Sequence, residues 1–172
     1  MPIRNIGPSD YQPIISVLNT WWGGRKMSNM LPKLFFVHFC ETSFMMESDD
    51  QLLGFLIGFC SQTHPHEAYI HFAGVNPECR NQGIGRTLYE TFFTTVKELG
   101  CHQVRCVTSP VNQQSIAYHL HMGFQAQPGD SEVNNVSYYR DYDGPGEDRV
   151  LFVKELNQQP LTIAINTAVQ TE

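Results

Sequence analysis

The chain has 172 residues, of which 41% are hydrophobic and 16% are charged. This length is typical of one domain, and the composition excludes both a disordered chain and a coiled coil. Seventeen acidic residues against eleven basic residues give a formal net charge of -6. The acidic balance argues against a nucleic-acid-binding protein, because such a protein needs a basic face for phosphates.

Cysteine usage and hydropathy exclude several further classes. The five cysteines are odd in number and no pair has the C-x-x-C spacing, so we predict neither a disulfide scaffold nor a metal site. No stretch reaches the ~18–20 apolar residues of a membrane helix. The N-terminal MPIRNIGPSD lacks the apolar run of a signal peptide. We therefore expect a cytoplasmic protein in a reducing compartment, without membrane contact.

Hydrophobic periodicity and turn residues predict the secondary structure in chain order. The predicted elements are a strand at 3–6, helices at 10–20 and 31–40, strands at 42–47, 52–60 and 69–75, a helix at 83–99, a strand at 104–107, a short helix capped by Asn112 or Ser115, and strands from Phe124 and over 150–153. This order predicts a mixed α/β domain with one long central helix.

Apolar spacing marks the faces that the helices should bury. The helix at 83–99 has apolar residues at steps of three or four on one face, namely Ile84, Leu88, Phe92, Val96 and Leu99. The helix at 31–40 carries a dense apolar set, namely Leu34, Phe35, Val37 and Phe39. The short helix carries Ile116 and Leu120.

Two polar stretches should lie outside the core. The segment 128–149 is rich in Asp, Asn and Gly, which predicts a solvated loop. The last residues, 157–172, hold no charge except Glu172 and are predicted to form a tail, in which Leu161–Ile165 is a candidate edge strand.

The turn before the helix at 83–99 contains Gly83 and Gly85. Glycines let a ligand approach the backbone, and the free amides and positive dipole end of a helix attract phosphate. Arg80 and Arg86 flank the turn with positive charge. A tight turn without a ligand is the alternative interpretation. A dinucleotide-binding turn and a P-loop are excluded, because the third glycine, the acid after the next strand and the Gly-Lys-Ser/Thr sequence are missing.

Three segments in order resemble the GCN5-related N-acetyltransferase (GNAT) family. Arg80–Gly85 is similar to its R/Q-x-x-G-x-G/A motif, Tyr69–Val75 resembles its fourth strand, and Asn112–Phe124 is similar to N-x-x-A/S-I-x-x-Y-x-x-x-G-F. The resemblance covers about residues 1–156, the predicted acetyltransferase domain. It implies a mixed, mostly antiparallel twisted sheet of about six to seven strands, splayed between strands four and five and flanked by about four helices.

The same resemblance implies direct transfer of an acetyl group from acetyl-CoA to a primary amine of a small molecule or an exposed peptide amine. Acetyl-CoA would lie between the fourth and fifth strands, with its acetyl and pantetheine end on the backbone of Gly74 and Val75. The cofactor-binding residues that it implies are Gly74, Val75, Arg80, Asn81, Gln82, Gly83, Ile84, Gly85, Arg86, Asn112, Ser115 and His119. Asn112 is also a candidate helix N-cap, and the two roles are compatible.

Acetyl transfer needs a base for the amine and benefits from an acid for the departing thiolate. His71 is the candidate base because a neutral imidazole accepts a proton at pH 7, and a half-buried structural histidine is the alternative. Tyr69 neighbours it on the strand, and Glu67 is a candidate that would act through water. The family's tyrosine position holds His119, which we therefore place at the CoA sulfur. Tyr118 lies one helical step of about 100° away and should face the core.

The acceptor amine stays open at this stage. The resemblance assigns its groove to the first two helices, where Trp21, Trp22 and Arg25 lie, and to the segment 140–149. Aromatic and acidic side chains would suit a cationic amine, whereas Arg25 and Arg149 would suit a carboxylate, and a helix end with a solvated loop is the structural alternative. A non-catalytic acyl-CoA-binding sensor or interaction domain is the alternative function. A homodimer is also open, since dimers are frequent in the family.

Overall fold

The computed structural model describes residues 2–49 and 51–156, and the predicted tail at 157–172 with its candidate strand Leu161–Ile165 lies outside them. The strands are β1 (Ile3–Asn5), β2 (Phe44–Ser48), β3 (Gln51–Cys60), β4 (Glu67–Val75), β5 (Gln103–Thr108), β6 (Gln125–Ala126), β7 (Ser131–Val133), β8 (Val136–Tyr138) and β9 (Val150–Glu155). The α-helices are α1 (Tyr11–Trp21), α2 (Phe35–His38), α3 (Ile84–Glu98) and α4 (Gln113–His121).

Seven strands form one sheet in the order β1-β2-β3-β4-β5-β9-β6, and β7 and β8 form a separate hairpin. Neighbours in the large sheet are antiparallel except for β4 and β5, which are parallel. This mostly antiparallel sheet with its flanking helices confirms the predicted fold class. Within the described part of the chain, no helix combines the length and the apolar character that crossing a bilayer requires.

Asp10 fixes the start of α1 against the sheet. Its carboxylate accepts a hydrogen bond from the Gly7 amide at 2.7 Å and pairs with Arg4 at 2.9 Å. Arg4 also pairs with Glu47 on β2 at 2.9 Å. The hydrogen bonds from Arg4 hold the pKa of Asp10 below its usual range. These contacts join β1, β2 and the beginning of α1.

Both faces of the large sheet are covered by buried apolar residues. The face under α3 and α4 includes Leu56, Ile70, Leu88, Phe92, Val104, Ile116 and Phe152. The face under α1 and α2 includes Ile14, Leu18, Phe36, Phe55, Ile57 and Phe72. Helix α3 packs closely on β3 at Gly58, where a Cβ atom would overlap the ring of Phe92.

Strands β4 and β5 are paired at only one end. Their register runs over three positions, from Glu67 opposite Gln103 to Tyr69 opposite Arg105. Residues 70–75 of β4 have no partner on β5, which pairs along its length with β9 instead. The strands therefore diverge toward their carboxyl ends, and this confirms the predicted splay.

A β-bulge interrupts β4 at the start of the unpaired part. Ile57 on β3 lies opposite Phe72, whereas the next residue, Gly58, lies opposite Ile70, so His71 is the extra residue. The bulge changes which face the following side chains take. Ile70 therefore packs in the core under α3, while Phe72 packs in the core under α1.

The predicted helix at 31–40 is much shorter in the structure, where it spans only Phe35–His38. Phe36 is its buried residue, whereas the predicted core residues Leu34 and Val37 are 48% and 46% exposed. The chain leaves the helix because Thr42 donates its hydroxyl hydrogen to the Gly58 carbonyl at 2.6 Å. That bond joins the segment to β3 just before β2 begins.

Three further expectations need correction. Leu99 is 55% exposed because it lies past the last residue of α3, where Gly100 has a φ of 92° and turns the chain. Leu120 is 50% exposed on the outer side of α4. The segment 128–149, predicted as a loop, contains the β7–β8 hairpin. Its turn residues, Asn134 and Asn135, have φ of 51° and 61°, a conformation that asparagine tolerates well.

Candidate functional site

The turn between β4 and α3 presents backbone amides without partners. Asn81 and Gly83 have φ of 63° and 80°, which turns successive amides to one side. The first helical hydrogen bond runs from the Thr87 amide to the Gly83 carbonyl at 2.9 Å, and no acceptor in the described residues binds the amides of 81–86. These donors lie at the positive end of α3 and suit an anion.

Tyr118 packs against the core under α3, as predicted, edge-on to Tyr89 with ring centroids 5.4 Å apart, and its hydroxyl reaches this turn. A Cβ atom on Gly85 would lie 2.8 Å from the Tyr118 hydroxyl, so only glycine fits there. The hydroxyl is buried and has no hydrogen-bond partner within the described residues. Such a group costs about 1–3 kcal/mol until a polar atom pairs with it. Burial raises the pKa of Tyr118 to about 12, so the hydroxyl stays protonated at neutral pH.

His119, which we expected at the CoA sulfur, lies in the core instead. It is 6% exposed and stacks on Phe152 with ring centroids 5.0 Å apart. Its Nδ1 donates to the Ser115 carbonyl at 2.8 Å, since a carbonyl only accepts, and its Nε2 therefore accepts from the Tyr89 hydroxyl at 3.1 Å. Both ring nitrogens are used inside the protein. Burial lowers the pKa of His119.

The N-cap of α4 explains why His119 lies in the core while the Tyr118 hydroxyl reaches the turn before α3. Asn112 accepts a hydrogen bond from the Ser115 amide at 3.2 Å, which confirms the capping role and sets where the helix begins. From that start the buried residues of α4 are Ile116 and His119. Tyr118 lies about 100° around the helix from His119. It therefore stands at the edge of the buried face and extends toward α3.

His71 lies on the opposite side of the gap, beneath the segment between α1 and α2. Its Nε2 donates to the Met30 carbonyl at 2.7 Å, and its ring stacks on Phe35 with centroids 4.2 Å apart. Burial lowers the pKa of His71, although the bond to Met30 acts in the other direction. The ring is therefore neutral at pH 7. Within residues 2–49 and 51–156 no group bonds Nδ1, which leaves that nitrogen as an acceptor.

Tyr69 lies two residues before His71 on β4. Its ring stacks on Phe59 with centroids 5.6 Å apart and a 25° angle between the planes. Its pKa is raised by burial first, and then by the charges of Cys106, Tyr142 and Asp143. The hydroxyl therefore stays protonated, and the segment near residue 142 lies within electrostatic reach of it.

Gly74 and Val75 lie in the part of β4 that has no partner on β5. The Trp22 ring covers Gly74, where a Cβ atom would lie 2.6 Å from it. Trp22 also packs edge-on against Phe72, with centroids 5.0 Å apart. The backbone that is predicted to bind acetyl-CoA is thus close to Trp22, which the resemblance assigns to the groove for the acceptor amine.

The four arginines predicted near ligands differ in their partners. Arg80 reaches the Trp21 carbonyl at 3.5 Å and is exposed. Arg86 pairs with Glu90 at 2.7 Å on the surface of α3. Arg149 is nearly buried and pairs with both Asp143 and Glu147, at 2.6 and 2.7 Å, so its charge is already balanced. Arg25 donates to the Trp22 carbonyl at 3.3 Å.

Sequence reasoning missed several residues of the site. It did not single out Met30 or Phe35 as partners of His71, Tyr89 as the partner of His119, or Arg105 beside Glu67, to which it is bonded at 3.0 Å. The contact of Tyr118 with the turn had one signal in the sequence, because Gly85 has no side chain and leaves room for a large side chain from another element. The other contacts join residues far apart in the chain and leave no local pattern.

Comparison with known proteins gives a family match and many similar folds. A model of the acetyltransferase (GNAT) family matches residues 12–124. No curated protein sequence matches the chain. Diaminobutyrate acetyltransferase EctA from Paenibacillus lautus, in complex with L-2,4-diaminobutyric acid and coenzyme A, is 18% identical with a TM-score of 0.68, over 92% of this chain and 97% of that one.

Two other solved structures are similar in the same way. The protein yncA from Salmonella typhimurium, with acetyl-CoA, has a TM-score of 0.66 at 16% identity over 95% of this chain and 98% of that one. Naa20 from Chaetomium thermophilum, with a bisubstrate analogue, has a TM-score of 0.69 at 19% identity over 91% of this chain and 87% of that one. At these identities the similarity concerns the fold.

The buried, neutral His119 predicts how stability depends on pH. Because its folded pKa lies below its unfolded value, its contribution is complete above about pH 6.5 and is lost as the pH falls through the folded pKa. Urea unfolding at pH 7.5 and pH 5.5 should therefore show a smaller loss of stability in His119→Gln than in the wild type. His121→Gln, at an exposed position of the same helix, is the control and should keep the wild-type difference. Equal losses in all three proteins would contradict the buried neutral ring.

Proposed function

The chain belongs to the GNAT family of acetyltransferases, and on that premise we propose that it transfers the acetyl group of acetyl-CoA to a primary amine by direct attack. The observation that carries the proposal is the open end of the β4–β5 pair next to the unpaired amides of residues 81–86. A thioester with a diphosphate needs both an extended slot and an anion site. The acceptor is a small molecule or an exposed peptide amine.

The residues around the gap fit acetyl-CoA. The amides of 81–86 and the positive end of α3 would bind the diphosphate, with Arg80 and Arg86 at its edges. The unpaired backbone of residues 70–75 would bind the pantetheine and acetyl end, through Gly74 and Val75. The buried Tyr118 hydroxyl, which has no hydrogen-bond partner within residues 2–49 and 51–156, would gain one from a polar atom of acetyl-CoA. Asn112 and Ser115 act through the start of α4, which positions Tyr118.

Acetyl-CoA should protect this turn from exchange and stabilise the protein. We expect saturating acetyl-CoA to raise the melting temperature, because a ligand that binds only the folded state adds RT ln(1 + [L]/Kd), about 2.7 kcal/mol at a hundredfold excess over Kd. Hydrogen–deuterium exchange should slow at residues 81–86, and the β7–β8 hairpin serves as the internal control. No shift in melting temperature together with unchanged exchange at 81–86 would contradict the proposal.

The side chains around the gap divide the proton transfers between them. Acetyl-CoA supplies a thioester whose carbonyl carbon is open to an amine. Neutral His71 would accept the amine's proton at Nδ1, directly or through water, while Met30 holds Nε2. The unpaired β4 amides would donate to the carbonyl oxygen as it gains charge. Protonated Tyr118 would donate to the sulfur. Tyr69 would line the approach of the amine.

Removing the Tyr118 hydroxyl should slow turnover while preserving the fold. We expect Tyr118→Phe to lower kcat by about a hundredfold, at the low end of the range for a general acid. The Kd for acetyl-CoA should change much less, and the melting temperature should not fall, because the hydroxyl has no partner to lose among the residues that the structure describes. Thiol release with a fixed amine and calorimetry with acetyl-CoA measure the two effects. Tyr11→Phe, in α1, is the control. An unchanged kcat would remove Tyr118 from the reaction.

The lowered pKa of His71 sets the acid side of the pH profile. The base form persists below the usual value of about 6.5, so activity should fall only below that pH in the wild type. His71→Gln should lower kcat by about a hundredfold and remove this step from the profile, with acetyl-CoA binding retained. His38→Gln, at an exposed position of α2, should behave as the wild type. An identical profile in His71→Gln would assign the proton to another acceptor.

Three expectations on the domain, the location and the oligomeric state complete the proposal. Residues 1–156 are proposed as the acetyltransferase domain. The five cysteines are free, which suits a reducing compartment, and we propose a cytoplasmic location. A homodimer stays a prediction that sedimentation would test. Binding of acetyl-CoA without thiol release for any amine would instead support the non-catalytic sensor.

A further inference from the structure

A cavity of about 290 Å³ opens where β4 and β5 are still paired. It is lined by Phe59, Ser61, His64, Glu67, Ala68, Tyr69 and Arg105. We call it the Glu67–Arg105 pocket. It lies at the three-residue pairing of β4 and β5, before the two strands diverge, and so is separate from the gap proposed for acetyl-CoA. None of the roles assigned above uses Arg105.

The pocket carries two opposite charges side by side. Arg105 donates through Nε to one carboxylate oxygen of Glu67 at 3.0 Å, and the side chains are 39% and 23% exposed. In the described part of the chain no group binds the two terminal guanidinium nitrogens of Arg105 or the second oxygen of Glu67. A guanidinium with two free parallel donors is the preferred partner of a carboxylate, and a free carboxylate oxygen accepts from an ammonium.

The walls of the pocket are rigid and provide further polar atoms. The Phe59 ring stacks on Tyr69 and also packs against Phe39, with centroids 5.1 Å apart. The Ser61 hydroxyl accepts from the His64 amide at 3.0 Å, so its own hydrogen is available to an acceptor. A small group with both signs of charge would therefore meet donors and acceptors that are already in place.

The pocket and the proposed reaction centre lie along one strand. Glu67, Tyr69 and His71 occupy alternate positions of β4, and successive alternate residues are about 7 Å apart along a strand. Tyr69 lines the pocket, so the pocket wall is one such step from His71, a distance that a side chain of several methylene groups spans. An amine at His71 could have its other end in the pocket.

We propose that the Glu67–Arg105 pocket binds the α-amino-acid head of the acceptor, its carboxylate on Arg105 and its ammonium on Glu67, while the side-chain amine of the same molecule is acetylated. This substrate class rests on the proposed function. A simple diamine would leave the guanidinium donors unpaired and would bring its second ammonium next to Arg105. The paired charges therefore favour a zwitterion over a cation.

Pairs of amines that differ only in the α-carboxylate test this. Thiol release is measured for 2,4-diaminobutyrate against 1,3-diaminopropane, ornithine against putrescine, and lysine against cadaverine. We expect the wild type to prefer the carboxylated member of at least one pair by about tenfold or more in kcat/KM, since a charged hydrogen bond contributes about that factor. Arg105→Gln should reduce this ratio toward one by raising KM for the carboxylated amine.

Two further variants separate specific binding from general damage. Arg105→Lys retains the charge without the paired donors, and we expect an intermediate ratio. Lys154→Gln changes a cation on the adjacent strand β9 that packs over Phe93 on the other face, and it should keep the wild-type ratio. Circular dichroism checks that each variant is folded.

The outcomes distinguish a failure of the pocket assignment from a failure of the proposed acetyltransferase activity. If the wild type does not prefer the carboxylated amine in any pair, or if Arg105→Gln keeps the preference, the pocket assignment is wrong. Acetylation of the diamines would still support the proposed enzyme activity in that case. If no amine releases thiol, calorimetry of the three amino acids with the CoA-loaded protein decides the pocket independently. Binding that is lost in Arg105→Gln supports it, and absence of binding overturns it.

Discussion

The divergence of β4 from β5 after Tyr69 is the constraint on which the rest of the site depends. Two parallel strands that pair over three positions and then separate leave backbone donors and acceptors of residues 70–75 facing a gap. Buried backbone groups are almost always paired, so a gap of this kind requires either water or a ligand with its own polar chain. The sheet stays intact because β5 pairs fully with β9. The opening is therefore a property of the fold, and the side chains around it only select what enters.

One rim of this gap carries hydrogen-bond donors and the other carries an acceptor. The β-bulge at His71 contributes to this difference. On the rim next to α3, unpaired amides and the Tyr118 hydroxyl are all donors. On the rim under α1 and α2, His71 offers an acceptor nitrogen among aromatic rings. The bulge brings Phe72 to the same side as His71, where it supports Trp22 over Gly74. In the proposed reaction, acetyl-CoA and the neutral amine would thus bind at different rims of the gap without competing for the same groups.

Sequence patterns predicted the parts of this arrangement that are local. The apolar period of α3 and the glycine turn before it are encoded within about twenty residues, and the structure contains both, while the anion site at the turn stays a proposal. The failures were tertiary. The family's motif position assigned His119 to the CoA sulfur, whereas the start of α4 at Asn112 turns this residue into the core. The space left by Gly85 on another helix lets the Tyr118 hydroxyl extend to the turn. The second helix was overestimated because the Thr42 bond to Gly58 joins residues sixteen positions apart. A bulge inserts one residue without any change of hydrophobicity, so strand alternation could not reveal that Ile70 and Phe72 face different cores.

One physical cause sets the protonation states of the two groups that we assign to proton transfer. Burial disfavours the charged form of any side chain, and so it lowers the pKa of His71 and raises that of Tyr118. An exposed phenol is already protonated and an exposed imidazole is mostly neutral at pH 7, and the loss of solvent widens the pH range over which both hold these forms. Desolvation is the largest cause of the pKa shift in both groups, and the charges of Arg86 and Glu90 act on the pKa of Tyr118 in opposite directions. The acid and the base therefore have the required forms before any substrate arrives.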